Sequence, residues 1–179
     1  LDAIQVSIME ARNFISAREM VLNDNWLLTT MNGEPRYEKP PLPTWLTAFS
    51  GLIFGLESVF GMRLPAVILV MVIGSFMYKL SLSILKSRSH ALINAFLVVT
   101  SFYVIGIIIE APWDIFTHGF MLVAIYHLHK LFSAEGVVWK HTLSAGFFIG
   151  LSILSKGPVS FYALLLPFLI AYALTFNYK

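Results

Sequence analysis

The sequence contains no cysteine and few charged residues. Without cysteine it can form neither a disulfide framework nor a thiolate metal site. Charged residues make up 12% of the 179 residues and hydrophobic residues make up 58%, whereas a soluble domain carries about 25% charged residues. A soluble fold of this length would need more polar surface than the chain can supply. The composition therefore predicts an integral membrane protein.

Several common functional motifs are also absent. The sequence has no HExxH, Walker A, GxSxG or GxGxxG pattern, which excludes the commoner catalytic alternatives. The net charge is only +2 and no basic run is present, so we expect no nucleic-acid partner. The chain opens at Leu1 without a signal peptide and ends directly after an apolar run, so we expect a fragment that lacks at least one upstream span.

The charged residues that are present concentrate at the start. Residues 1–57 hold 11 of the 22 Asp, Glu, Lys and Arg residues, and we interpret this segment as an external first loop. Apolar residues at helical spacing predict an amphipathic helix over residues 9–22 that lies at the membrane interface. The segment Asn32–Pro35 is a turn signal. A second short helix begins in the proline-rich segment at residues 40–43 and ends at Gly51 or Gly55.

Residues 58–179 are predicted to form an all-α transmembrane bundle of about five membrane segments. The predicted segments are 60–85, 91–109, 115–132, 142–154 and 159–176. The fourth is short, since a span needs roughly 20 residues, and we expect it to tilt or to extend into its polar flanks. The first and third connections carry Lys79, Lys86, Arg88, Lys130 and Lys140, and Lys179 follows the last segment.

These basic residues fall on one side of the membrane if every segment crosses it. The positive-inside rule makes that side cytoplasmic. The first loop, the link from Glu110 to Asp114, and Lys156 then all face outside. The unusual polar residues of the chain are therefore predicted to meet at one external face.

Asp114 and Lys156 are the strongest candidates for functional residues. A carboxylate at the end of a membrane span is energetically costly unless it is hydrated, paired or functional. The alternative role for Asp114 is a helix cap in a solvated turn. Lys156 is a lone cation beside Gly157 and Pro158, where it could bind a phosphate. Its alternative role is to extend toward the interface.

The remaining candidate residues also have alternative roles that are not functional. Glu10 and Arg12 lie on the polar face of the first helix, where the alternative is a water-facing ion pair. Arg36 and Lys39 could simply contact lipid headgroups. His118 lies one turn beyond Asp114, and its default role is structural, with a metal or proton-relay role as the alternative.

The same polar segments resemble the first external loop of the GT-C membrane glycosyltransferases. The closest branch holds the lipid A aminoarabinose transferases and bacterial relatives of protein O-mannosyltransferases. The resemblance covers nearly the whole chain. The segments that carry it are Glu10–Arg12, Ala17–Met20, Asn25–Trp26, Asn32–Leu42, Arg63–Ala66 and Ser155–Pro158.

The resemblance implies that this chain is the N-terminal part of a larger multi-span bundle. Members of the family move a sugar from a polyprenyl-phosphate donor to a lipid A-like or protein acceptor at the periplasmic or luminal face. The implied partners are therefore the polyprenyl-phosphate-linked sugar, the acceptor and membrane lipids. The implied location is the bacterial inner membrane, with the active site facing the periplasm.

The resemblance also implies roles for individual residues. Glu10 and Asp114 match acidic residues of the first and second external loops and are the catalytic candidates. Lys39 matches the lysine that contacts the lipid phosphate, and Lys156 matches an external lysine of a Lys-Gly motif. Met9 stands where the family places the first acid of a pair. Either Glu10 could take over that role, or Asp2 could fold back near it.

Three further positions belong to the implied site. Arg12 matches a loop arginine, and Arg36 and Tyr37 stand in the same motif as Lys39. All three are assigned to substrate or phosphate binding. Glu38 matches an acid that helps to hold a metal in some relatives, so a divalent metal ion is a possible cofactor.

Two other functions remain open from the sequence. A non-catalytic lipid-binding or scaffold subunit could descend from the same family, and the replacement of the acid at Met9 favours it. A transporter would place polar residues near the middle of its spans. Here they lie at the ends of the predicted spans, with Asn94 and Tyr103 as modest exceptions.

Overall fold

A computed structural model describes residues 5–110, 112–134 and 138–175. This part of the chain is almost entirely helical, with one short hairpin. The elements in chain order are α1 (Ile8–Leu22), β1 (Thr30–Met31), β2 (Glu34–Pro35), α2 (Leu42–Phe54), α3 (Val59–Leu85), α4 (Arg88–Val99), α5 (Phe102–Glu110), α6 (Pro112–Phe132), α7 (Trp139–Lys156), a π-helical turn (Phe161–Leu165) and α8 (Leu166–Thr175).

The two short helices of the first loop begin and end where the sequence predicts. Ser7 precedes α1, and its hydroxyl accepts a hydrogen bond of 3.2 Å from the backbone N–H of Glu10. Such a cap satisfies one of the free N–H groups at a helix start. The helix α2 begins after Pro41 and ends at Gly55, whose φ of 99° is disfavoured for residues with a side chain.

The turn predicted at Asn32–Pro35 forms a two-residue hairpin. Thr30 pairs with Pro35 and Met31 pairs with Glu34 in antiparallel register. Asn32 has a φ of 55° and Gly33 a φ of 79°, as a type I′ turn requires at both central positions.

The hairpin is attached to α1 through Glu19. The Glu19 carboxylate accepts hydrogen bonds from the Thr30 hydroxyl at 2.5 Å and from the Gly33 backbone N–H at 3.3 Å. This attachment fixes the position of the residues that follow the hairpin.

Replacing Gly33 should therefore weaken the first loop. Gly33→Ala is expected to lower the free energy of unfolding by about 1–2 kcal/mol, because a side chain disfavours a left-handed backbone. An added methyl group would meet no atom within 4 Å, so the backbone conformation alone sets the cost. Thermal unfolding of the full-length protein in detergent measures this loss of stability.

Gly146→Ala is the control for Gly33→Ala. Gly146 is a helical glycine with equally open surroundings, and it has no positive φ. Equal unfolding temperatures for the two variants would contradict the prediction.

The polar face of α1 packs against α2 rather than facing water. Asn13 is buried, donates to the Thr47 hydroxyl at 2.9 Å and accepts from the Thr44 hydroxyl at 3.0 Å. Ala17 and Met20 pack beside Ala48 in the same interface. Because α2 supplies hydroxyl partners, these polar groups are buried without losing their hydrogen bonds.

The segment predicted as one span over 91–109 is broken into α4 and α5. The two helices meet at a bend of 46°. At the break, the Thr100 hydroxyl donates to the Phe96 carbonyl at 2.6 Å, and the Ser101 hydroxyl donates to the Val98 carbonyl at 2.8 Å. Adjacent hydroxyl side chains that bind backbone carbonyls compete with the helical ladder and bend it.

The long helices pack around α6. The core between α3, α5 and α6 contains Leu69, Ile73, Ile107 and Phe116 among its buried residues. A further link joins α6 to α7, where the Ser152 hydroxyl donates to the Thr117 carbonyl at 2.7 Å. The predicted short fourth segment extends to 18 residues in α7.

Among the described residues, α3 alone is long and apolar enough to cross a membrane by itself. The bent pair of α4 with Phe102–Ile108 also qualifies if it counts as one span, and α2 and Phe161–Thr175 are shorter apolar helices. The division at residues 57 and 58 and the count of five membrane segments stay predictions.

Candidate active site

Asp114 and Lys156 form an ion pair between α6 and α7. Asp114 lies in the first turn of α6 and Lys156 is the last residue of α7. The Lys156 Nζ atom contacts the Asp114 Oδ1 atom, and the two side chains are 26% and 14% exposed. The pair is therefore largely shielded but still reachable from solvent, which strengthens its electrostatic interactions relative to water.

Lys156 also lines a cavity of about 460 Å³ together with Lys39. Tyr37, Glu38, Pro40 and Pro41 also line it. We refer to it as the Lys39–Lys156 cavity. The fold therefore brings together two lysines from distant parts of the chain, and Asp114 is joined to them through Lys156.

A smaller cavity of about 210 Å³ adjoins this one. Arg12, Glu34, Arg36 and Glu38 line it, and Glu38 lines both cavities. We refer to it as the Arg12 cavity. The Nη1 atom of Arg12 lies 3.9 Å from the sulfur of Met9, so a thioether stands beside this arginine at the position where the resemblance places an acid.

Arg36 is buried and holds the hairpin against α1 and α6. Its Nη1 atom donates to the Arg12 carbonyl at 3.0 Å and to the Ser16 hydroxyl at 3.3 Å, and its guanidinium lies 5.2 Å from the centre of the Trp113 ring. Burial lowers the pKa of Arg36, the charge of Glu38 raises it and the charge of Arg12 lowers it. Much of its bonding capacity is therefore used inside the protein.

Glu10 lies in a different environment from the other predicted site residues. Its side chain is 1% exposed, and both carboxylate oxygens accept hydrogen bonds from Arg63, at 2.6 Å from Nε and 2.8 Å from Nη2. The alternative of a water-facing ion pair is therefore wrong for Glu10. The buried pair links α1 to α3, and neither residue lines the two cavities.

Two buried residues that contact predicted site residues are not themselves predicted as site residues from the sequence. Arg63 stands near the start of the long apolar helix α3, and a charge in such a setting indicates a buried partner. Trp113, which directly precedes Asp114, is 2% exposed. Its ring packs against the Arg36 guanidinium. Its Nε1 atom is the one buried side-chain nitrogen or oxygen without a hydrogen-bond partner in the described part of the chain.

His118 takes part in a hydrogen-bond chain within the bundle. Its Nδ1 atom lies 2.7 Å from the Ser160 hydroxyl and its Nε2 atom lies 3.1 Å from the Tyr103 hydroxyl. Both ring nitrogens are thus satisfied by neighbouring helices, which supports the structural role.

The residues around Glu38 do not fit a metal ion well. Within the described residues, no three His, Asp or Glu side chains lie close enough together to hold one. Arg12 and Arg36 line the same cavity as Glu38, and their positive charges oppose a bound cation. The surroundings of Glu38 therefore favour an anion over a cation.

Comparison with known protein families shows which family this chain belongs to. Residues 38–179 match the family model described as dolichyl-phosphate-mannose-protein mannosyltransferase. The chain belongs to this family. The match includes Glu38, Lys39, Asp114 and Lys156 and excludes the part of the first loop that contains Glu10 and Arg12.

Several curated proteins are similar to this member of the family. An undecaprenyl phosphate-alpha-4-amino-4-deoxy-L-arabinose arabinosyl transferase 1 of Proteus mirabilis is 28% identical over 156 residues, which are 86% of this chain and 28% of that protein. An uncharacterised protein of Aquifex aeolicus is 27% identical over 148 residues, which are 82% of this chain and 29% of that protein. The chain thus spans under a third of the length of these relatives.

Solved structures show the fold. The crystal structure of ArnT from Cupriavidus metallidurans bound to undecaprenyl phosphate matches with a TM-score of 0.81 and 19% identity, over 95% of this chain and 32% of that one. The apo structure of the same protein gives a TM-score of 0.77 and 18% identity, over 97% of this chain and 32% of that one. The prediction of an all-α integral membrane protein with the GT-C fold is confirmed.

Proposed function

We propose that the protein containing this chain transfers a sugar from a polyprenyl-phosphate donor to a lipid A-like acceptor at the periplasmic face of the inner membrane. The observation that carries the proposal is the Lys39–Lys156 cavity, in which two lysines meet at one end of the bundle. The similarity to aminoarabinose transferases supports the choice of donor and acceptor. The excess of basic residues at the other end of the helices supports the periplasmic orientation.

The two lysines suit the leaving group of this reaction. In the transfer, the bond between the sugar C1 atom and the phosphate oxygen breaks, and the polyprenyl phosphate leaves with the electron pair. Cations positioned where this negative charge develops stabilise the transition state. Lys39 and Lys156 are the groups for this role, and Arg12 in the adjoining cavity can contact the sugar or the phosphate.

The acceptor oxygen forms the new bond to C1. A hydroxyl acceptor must lose a proton, and a carboxylate within hydrogen-bond reach can take it. Asp114 suits this role better than Glu10, because both oxygens of Glu10 are held by Arg63 in a buried pair. A phosphate acceptor needs no base, and Asp114 would then serve to position Lys156.

Transfer of labelled aminoarabinose from undecaprenyl phosphate to lipid A by the full-length protein in detergent tests the proposal. Lys39→Ala and Asp114→Ala are each expected to reduce turnover at least about 10-fold. The matched controls are Lys140→Ala and Glu57→Ala, which remove one charge of the same sign from exposed positions outside both cavities. Turnover that neither site variant changes would contradict the site assignment.

The scaffold function makes a different prediction in the same assay. A non-catalytic subunit would give no turnover with any polyprenyl-phosphate sugar, although it could still bind the lipid. Trials with donors that carry other sugars separate this result from a mistaken choice of sugar. Turnover with a different sugar would support the glycosyltransferase and correct the substrate.

A further inference from the structure

A third polar cavity lies at the end of the bundle away from the candidate active site. Lys79, Lys86 and Lys130 line it together with Ser83 and Tyr126, and its volume is about 320 Å³. We call it the basic cavity. Lys130 follows Asp114 on α6 by 16 residues, which corresponds to about 24 Å along the helix axis.

Contacts within α3 and between α3 and α6 position two of the three lysines, Lys79 and Lys130. The Lys130 Nζ atom donates to the Ser83 hydroxyl at 3.1 Å, and the His129 Nε2 atom lies 3.0 Å from the same hydroxyl. The Lys79 Nζ atom lies 4.6 Å from the centre of the Phe76 ring. These contacts leave most of the ammonium N–H donors available, because each ammonium group has three.

The positive charge of the basic cavity is not balanced by the described residues. Every described acidic side chain except Asp114 belongs to residues 1–57, and none forms an ion pair with these lysines. Glu135, in the link after α6, lies outside the described residues. The C-terminal ends of α3 and α6 contribute about half a negative charge each, which is about one charge against three lysines.

The surroundings of the basic cavity are those of a membrane surface. The cavity lies at the C-terminal end of α3, the helix that is long and apolar enough to cross a membrane. Ile84 and Leu85, next to the lining residues, are 56% and 49% exposed. An anion that carries apolar chains would satisfy both the lysines and this exposed apolar surface.

We propose that the basic cavity binds the phosphate headgroup of an anionic membrane phospholipid. The phosphate would accept hydrogen bonds from Lys79, Lys86 and Lys130. The acyl chains of the phospholipid would lie against the exposed apolar side of α3. The proposal is independent of sugar transfer, because it concerns different residues at the opposite end of α6.

Native mass spectrometry of the full-length protein in a neutral detergent tests this site. Short-chain phosphatidylglycerol is titrated in one arm and phosphatidylcholine with the same chains in a second. A third arm adds inorganic phosphate to the phosphatidylglycerol complex. We expect saturable binding of phosphatidylglycerol alone, without displacement by equimolar inorganic phosphate. Equal binding of both lipids, or displacement by inorganic phosphate, would overturn the assignment to a phospholipid.

Two double variants separate a specific site from general positive charge. Lys79→Gln/Lys86→Gln removes two exposed lysines of the cavity, and Arg88→Gln/Lys140→Gln removes two exposed charges at the same end outside it. The first should weaken phosphatidylglycerol binding at least about 10-fold, since hydrogen bonds to charged groups are among the stronger ones. The second should change it less than about 2-fold, as screened surface charges do. Equal losses in the two variants would show that no specific site exists.

Discussion

Lys156→Ala is expected to slow sugar transfer by about 100-fold or more while leaving the fold intact. The substitution removes a cation from the Lys39–Lys156 cavity, and loss of one group that stabilises developing charge typically has an effect of this size. It also leaves Asp114 without its partner, so that an unpaired carboxylate would face the donor phosphate. Steady-state kinetics of the full-length protein measure the effect on kcat and KM.

Lys156→Arg provides the control for charge. It retains the positive charge but changes the shape of the donor group, and we expect it to recover part of the lost rate. A Lys156→Ala variant with the kcat of the unmodified protein would exclude Lys156 from the reaction.

A double variant then distinguishes the two roles open to Asp114. If Asp114 only positions Lys156, adding Asp114→Ala to Lys156→Ala should leave the rate unchanged or raise it, because the unpaired carboxylate is removed and coupled residues are not additive. If Asp114 is the base, the double variant should lose a further factor of about 100 or more.

Glu10→Ala is expected to have the largest effect on stability, lowering the free energy of unfolding by about 3–5 kcal/mol. Removing one member of a buried ion pair leaves the other charge without compensation. Arg63 is only 3% exposed, and in this variant its Nε and Nη2 atoms would lose the carboxylate that accepts their hydrogen bonds. Thermal unfolding of the full-length protein in detergent, without substrate, measures the loss.

The double variant Glu10→Leu/Arg63→Met tests the cause of this loss. Replacing both members of a buried pair by apolar side chains is often neutral or stabilising, so most of the lost stability should return. An unfolding temperature unchanged in Glu10→Ala would contradict the prediction. Sugar transfer by a stable double variant would exclude Glu10 as the catalytic base.

Local chemistry made much of the fold predictable. The type I′ turn follows from Asn32 and Gly33, and the ends of α2 follow from the prolines before it and from Gly55. The gathering of Tyr37, Lys39, Asp114 and Lys156 at one end agrees with the predicted alternation of the spans and with the positions of basic residues.

Other features depend on tertiary contacts that periodicity does not contain. The burial of Asn13 and Ser16 on α1 depends on the hydroxyl groups of α2 and on Arg36, which the local sequence does not indicate. The pairing of Glu10 with Arg63 joins residues that are 53 positions apart. The bend after α4 depends on how two neighbouring hydroxyl groups satisfy backbone carbonyls.

The assembly of the Lys39–Lys156 cavity from distant segments has a consequence for biogenesis. Lys156 follows Lys39 by 117 residues, a distance that a ribosome covers in about 6–23 s at 5–20 residues per second. During that interval the first loop has already been made, but the wall supplied by the end of α7 has not. If the proposed site holds the donor phosphate between its two lysines, the nascent chain cannot bind it until α7 is in place, and donor binding would report that this step of membrane insertion is complete.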